Sequence, residues 1–179
     1  MHANLDIASV IDQHAFNLKL WAVLSADTAL AKLDYRIETD RHGHILMTPP
    51  PGFYHSGYQT QIAIKLSALL SRGQTLVECP ISTSDGVKGA DVIWISTKHC
   101  AKALKQDVLV IAPEICIEVL SKFNTREEMM AKKALYFEAG ADEVWFCDRK
   151  GRMFFFLKES PDQAEDRSRL CEDFPKKIG

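Results

Sequence analysis

Apolar residues recur at helical spacing from Leu5 to Leu33, where Ile7, Val10, Ile11, Leu18, Trp21 and Leu24 predict a helix. Tyr35 to Glu38 then alternates like a strand, Asp40-Arg41-His42-Gly43 reads as a turn, and Ile45 to Met47 reads as a returning strand. Pro49-Pro50-Pro51-Gly52 can continue neither a sheet nor a helix and predicts a loop. His55 to Leu70 is amphipathic, with Ile62, Leu66, Leu69 and Leu70 on one side, and Gly73 is placed to cap its end. A short strand is expected at Thr75 to Glu78, a turn at Asp85-Gly86, a strong strand at Ala90 to Ile95 and a short helix at Lys98 to Lys105. Leu109 to Leu120 carries a further strand, with Pro113 near its start.

Thr125 opens another helix, and Glu128 three residues on completes a capping-box pattern. That helix is expected to end near Ala139-Gly140. Glu143 to Cys147 follows as a strand, Arg149-Lys150-Gly151 as a turn and Met153 to Leu157 as an antiparallel partner. Beyond Lys158 the residues are mostly charged and polar, which predicts a loose tail. No internal repeat or linker interrupts the pattern. The expectation is an α/β domain over residues 35–157, a helical extension over 1–34 and a polar tail over 158–179.

Within this pattern, Glu114-Ile115-Cys116-Ile117-Glu118-Val119-Leu120-Ser121 is a core-like strand that carries two carboxylates. Alternation puts Glu114, Cys116, Glu118 and Leu120 on one face, and Ile115, Ile117 and Val119 on the other. A glutamate between Ile117 and Val119 is costly unless a cation compensates it or its pKa rises. Asp91, which opens the apolar run Val92 to Ile95, is the first candidate partner. Two carboxylates on neighbouring core strands suit a hard divalent cation. The plainer reading of Asp91 is a strand-end residue bonded to a loop. Lys132 is a second partner; its plainer reading is an exposed pair with Glu128, and Lys133 is indistinguishable from it by spacing. Glu38 ends its strand and His55 begins its helix, both positions that surface residues commonly hold.

Composition narrows the function classes. A chain of 179 residues with 46% hydrophobic content suits one soluble globular domain, and a net charge of -2 argues against a globally basic nucleic-acid surface. No signal peptide or membrane-length apolar stretch is visible. The five scattered cysteines contain no CxxC pair, which disfavours zinc and fits reduced thiols in the cytoplasm. No GxSxG motif supports a serine hydrolase.

The order and spacing from Tyr35 to Leu157 resemble the Uma-type (Uma-two) family of restriction endonucleases, a bacterial branch of the PD-(D/E)xK nuclease superfamily. The matching residues are Pro113-Glu114, the apolar strand ending Glu118-Val119-Leu120-Ser121, Lys132 fourteen positions after Glu118, Tyr136, Ala139-Gly140, and Glu143 to Asp148 with its Trp145. Glu38 with Asp40 and Gly43, Met47 to Pro50, and His55 resemble the family's opening hairpin, loop and helix. Three departures stand out. Ala90 replaces the proline before Asp91, Lys122-Phe123 replaces a Pro-Ser, and Leu120 holds the position where the superfamily usually has its lysine.

The resemblance implies an α/β fold with a restriction-endonuclease-like mixed sheet flanked by helices. It implies Asp91 and Glu118 as ligands of Mg²⁺ or Mn²⁺, Lys132 as the lysine supplied from the following helix, and Glu38 as the acid from the N-terminal part; His55 is placed nearby without a role. The implied activity is metal-dependent endonucleolytic hydrolysis of DNA. Lys98, Lys102, Lys122, Arg126 and Lys133 are candidates to contact the DNA backbone, and the protein could act as a homodimer. The competing expectation is a non-catalytic interaction or regulatory module of the same fold.

Overall fold

The computed structural model describes residues 7–103 and 107–179. Leu5 in the first expected helix and Lys105 in the short one lie outside the described residues. The order is α1 (Ile7–Ser25), a 3₁₀ turn (Leu30–Lys32), β1 (Arg36–Thr39), β2 (Ile45–Thr48), α2 (Phe53–Leu69), β3 (Gly73–Thr83), β4 (Gly86–Ser96), α3 (Thr97–Ala103), β5 (Ile115–Val119), α4 (Arg126–Glu138), β6 (Glu143–Cys147), β7 (Met153–Leu157) and β8 (Ser160–Glu165). The strands form a mixed six-stranded sheet, β3-β4-β5-β6-β7-β8, and a separate β1-β2 hairpin. Only β5 and β6 run parallel, because α4 carries the chain back between them.

The alternation expected for the β5 strand holds. Cys116 packs on one face with Ile93, Val144, Phe146 and, from α4, Met129 and Tyr136. Ile115, Ile117 and Val119 pack on the other with Trp145 and Phe155, and with Ile62 and Leu66 of α2. The α4 start is also as expected: Thr125 accepts from the Glu128 N–H, and the Glu128 side chain accepts from the Thr125 N–H. These reciprocal bonds satisfy two donors that a helix start leaves unpaired.

The β3-β4 hairpin is longer than expected, running in constant register from Gly73↔Ser96 to Thr83↔Gly86. Pro80 does not stop β3, because β3 is an edge strand and tolerates a missing donor. At the turn Gly86 has φ +85, and a Cβ there would collide with the Thr39 carbonyl of the neighbouring hairpin. Gly73 does not cap α2. Leu70 does, and Gly73 opens β3 where a Cβ would lie 2.6 Å from the Trp94 ring.

The tail expected to be loose after Lys158 is ordered. Residues 160–165 extend the sheet as β8. Beyond them the backbone N–H groups of Arg169 and Leu170 both donate to Glu143 Oε1 at 2.8 Å. Buried Glu143 also accepts from Trp145 Nε1 at 2.7 Å through its other oxygen. Cys171, Phe174 and Ile178 then close the core face that Trp145 occupies, with the Phe174 ring 4.8 Å from that of Trp145. A few apolar residues spaced among charges were enough to seat a segment that reads as polar on average.

Phe174→Ala is expected to cost about 3–5 kcal/mol in urea denaturation, as for other buried aromatics. A loose tail would leave stability within about 0.5 kcal/mol of wild type.

Candidate active site

Asp91 sits in β4 one residue before Val92, and Glu118 in β5 one residue after Ile117, the pair at which the β4-β5 register ends. Both are buried, at 1% and 5% exposure. Asp91 Oδ2 accepts the Val119 N–H at 2.6 Å and lies 3.2 Å from His55 Nε2 at the start of α2. Asp91 Oδ1 lies 2.7 Å from Arg36 Nη1 of β1, yet no donor meets it in good hydrogen-bond alignment. The loop-bonded strand-end reading of Asp91 therefore gives way to a buried, cation-faced carboxylate.

Lys132 reaches across from α4. Its Nζ lies 3.0 Å from Glu118 Oε1, 2.8 Å from Glu38 Oε1 and 3.0 Å from the Gly89 carbonyl. It is not the exposed partner of Glu128. Glu38 Oε1 also accepts the Gly89 N–H at 2.8 Å, which ties the β1-β2 hairpin to β4. Tyr136, one helical turn beyond Lys132, donates to Glu118 Oε1 at 2.6 Å. The five residues singled out for the site thus fall into two neighbouring groups, Glu38, Glu118 and Lys132 in one and Asp91 and His55 in the other.

Three further residues join them. Arg36 Nε pairs with Glu78 Oε2 at 2.6 Å, and Gln59 Nε2 donates to Glu78 Oε1 at 2.7 Å and to the Asp91 carbonyl at 3.1 Å. Glu78 has φ +53, a left-handed conformation that costs energy for a residue with a Cβ. The β3-β4 ladder lacks only the pair Glu78–Asp91, and the Gln59 amide satisfies the carbonyl freed there. All three were missed from the sequence, although simple spacing could have found two of them. Arg36 shares the strand face of Glu38, and Gln59 lies one helical turn after His55. Glu78 was hidden because it falls at the kink, where the expected strand stopped.

The charges shift one another. Burial would raise Asp91, but His55, Arg36 and the Val119 N–H outweigh it and hold the carboxyl below its ordinary value. Burial would lower His55, and Asp91 reverses that, so the imidazole is held above its ordinary value. Burial pushes Glu118 up to about 7 against the pull of Lys132, with Asp91 and Glu38 adding to the rise. Burial would lower the Lys132 ammonium, but Glu118 and Glu38 keep it above the ordinary lysine value.

Oxygen donors of this kind suit a hard cation. Asp91 Oδ1 lacks an aligned donor, and Glu118 Oε2 takes no hydrogen bond from the described residues. The residues fit such an ion in kind. Even so, no group of three His, Cys, Asp or Glu side chains among the described residues is gathered to hold one.

The basic candidates divide. Lys122 and Arg126 are exposed just beyond β5, at the Glu118 end. Lys98 and Lys102 are exposed on α3 at the other end of the strand, where His99 Nδ1 lies 3.3 Å from Glu114. Glu114 is four strand positions from Glu118, or about 13 Å. Lys133, expected as a DNA contact, is instead 4% exposed, donates to the Pro161 carbonyl and lies over the Phe156 ring, so it presents no surface to DNA.

A carboxyl with a raised pKa binds its proton more tightly in the folded chain than in the unfolded one. The Glu118 contribution to stability is therefore full below its ordinary 4.5 and is lost as pH rises toward 7. Glu118→Gln is expected to flatten that decline in urea denaturation between these pH values; an unchanged slope would exclude Glu118 as its source.

Comparison with known proteins adds the family. The Uma2 family, described as "Putative restriction endonuclease", matches residues 26–175. Among solved structures, the chain resembles "a putative nuclease belonging to DUF820 from Anabaena variabilis ATCC 29413" at 16% identity and a TM-score of 0.65. That likeness covers 79% of this chain and 86% of the other, and at such identity it speaks for the fold. Among curated proteins, no sequence matches. No helix among the described residues is long and apolar enough to cross a membrane. With its restriction-endonuclease-like sheet and a family match over most of its length, the chain belongs to the Uma2 family.

Proposed function

We propose that this protein is a metal-dependent nuclease that hydrolyses phosphodiester bonds in DNA. The observation that carries this reading is the meeting of Lys132 from α4 with Glu118 and Glu38, beside the buried Asp91. Asp91 and Glu118 would hold the ion, Mg²⁺ or Mn²⁺. Such an ion supplies Lewis-acid polarisation of a phosphate and an acidified water. Lys132 keeps its proton at neutral pH, so it offers a fixed positive charge to the phosphate rather than a base. Glu38 aims that charge by accepting from both Lys132 and the Gly89 N–H. His55 helps keep Asp91 ionised.

Lys122 and Arg126 would contact the DNA backbone next to the site. Phe123 is 73% exposed with Lys122 Nζ 4.8 Å from its ring, which favours stacking on an unpaired base. Lys98 and Lys102 would touch DNA only away from the site. A homodimer is part of the proposal; the exposed Ile45, Leu46 and Met47 of β2 offer an apolar surface for it. The five unpaired cysteines fit the cytoplasm as its location.

The cations already facing Asp91 and Glu118 favour a second reading, a non-catalytic module that keeps the fold. Cleavage of plasmid and single-stranded DNA with Mg²⁺ or Mn²⁺ separates the two. Asp91→Asn, Glu118→Gln and Lys132→Ala are each expected to lower the cleavage rate by at least about 100-fold. Activity untouched by all three would sink the assigned site, and no cleavage by the wild type would favour the non-catalytic module.

A further inference from the structure

Four carboxylates, Glu38, Glu78, Asp91 and Glu118, share the cluster with two permanent cations, Arg36 and Lys132. Lys132 serves Glu118 and Glu38. Arg36 alone spans Asp91 and Glu78, at 2.7 Å and 2.6 Å. His55, 3.2 Å from Asp91 Oδ2, adds a third positive charge when protonated, but it does not reach Glu78. The Arg36 contact to Asp91 is an ion pair by distance, but Asp91 Oδ1 has no aligned hydrogen bond although its side chain is only 2% exposed. A cation occupies that oxygen without saturating it.

We propose that Arg36 is a displaceable counter-ion, and that Glu78 joins Asp91 as an oxygen ligand when a divalent cation takes its place. This rests on the reading of Asp91 as a metal ligand. A divalent cation would set two positive charges, in place of one, between the two carboxylates that Arg36 now bridges. Both anionic partners of Arg36 are oxygen donors of the type a hard cation takes. Glu78 is fixed from behind by the Gln59 amide, which also holds the Asp91 carbonyl, so the two acids keep their relative placement when the guanidinium leaves. Room for departure exists. A cavity of about 380 Å³ opens beside Arg36 and Glu78, walled by Trp21, Leu24, Leu33 and Tyr35, and the Arg36 side chain is 25% exposed. Arg36 thereby sets the affinity for the ion, and binding frees a guanidinium at the edge of the site, where it can meet a phosphate.

Calorimetric titration of the full chain with MnCl₂ at pH 7.5, without DNA, tests this. Arg36→Gln is expected to bind Mn²⁺ at least about 10-fold more tightly than wild type, since the competing charge is gone. Arg36→Lys should stay near wild type. Adding Glu78→Gln to Arg36→Gln should reverse the gain. A wild-type experiment covers the case in which Arg36→Gln does not fold. The Arg36 Nε–Hε resonance, assigned by its loss in Arg36→Lys, should move toward that of a free guanidinium as MgCl₂ is added. An Arg36→Gln affinity equal to wild type, a Glu78→Gln change without effect, or an Arg36 resonance unmoved at saturating metal would each overturn the proposal. Because no cleavage is measured, these results stand apart from the nuclease reading. DNA cleavage with an unmoved Arg36 would remove only the exchange, and exchange without cleavage would remove only the nuclease.

Discussion

Placing two carboxylates inside a sheet is the constraint on which the rest of the structure depends. Asp91 and Glu118 lie among Val92, Ile93, Ile117 and Val119, where an uncompensated charge costs several kcal/mol. Compensation arrives from three separate elements: Arg36 from the β1-β2 hairpin, His55 from α2 and Lys132 from α4. Each must stop at a fixed distance from the sheet for its charge to reach. The hairpin, which pairs with no strand of the main sheet, is held to β4 largely by polar contacts such as Glu38 to the Gly89 N–H and Thr39 to the Val87 N–H. The apolar layers decide which faces pack. The buried charges decide where along those faces the helices and hairpin come to rest.

The same economy explains why the site is divided. Lys132, Glu118, Glu38 and Tyr136 form one closed group in which the ammonium has three acceptors. Arg36, Glu78, Gln59 and His55 surround Asp91 in a second group, of which Arg36 and Glu78 border the open cavity. The first group has little to gain from rearrangement. The second holds the buried Asp91 Oδ1 without an aligned donor and the strained backbone of Glu78, and these are features expected where function rather than stability selects geometry.

Much of this was legible from the sequence. The face assignment of Ile115 to Val119 followed from alternation, and the α4 start followed from Thr125 and Glu128, because both depend on near neighbours. The spacing of Glu118, Lys132 and Tyr136 gave the family resemblance and, through it, the lysine. What spacing alone could not supply was the reach of Lys132 across to Glu38, since contacts between distant segments leave no local period. Glu78 escaped because a left-handed residue in a strand breaks the pattern used to find strands. Gly73 misled because glycine serves tight strand crossings as well as helix ends. The C-terminal segment misled because mean polarity dilutes Cys171, Phe174 and Ile178, each buried by contacts that a charged neighbourhood does not reveal.

The seating of that segment has a consequence for biosynthesis. Ile178 is 1% exposed and its N–H donates to the Gly151 carbonyl at 2.8 Å, while Arg152 bridges to Lys177. The core layer around Trp145 therefore stays open on its outer side until residue 178 has left the ribosome. The apolar layer beneath α4 has Phe156 as its last buried residue and can close earlier. Nascent chains thus pass through a stage with one finished layer and one exposed aromatic face, the interval in which a holding chaperone would matter most.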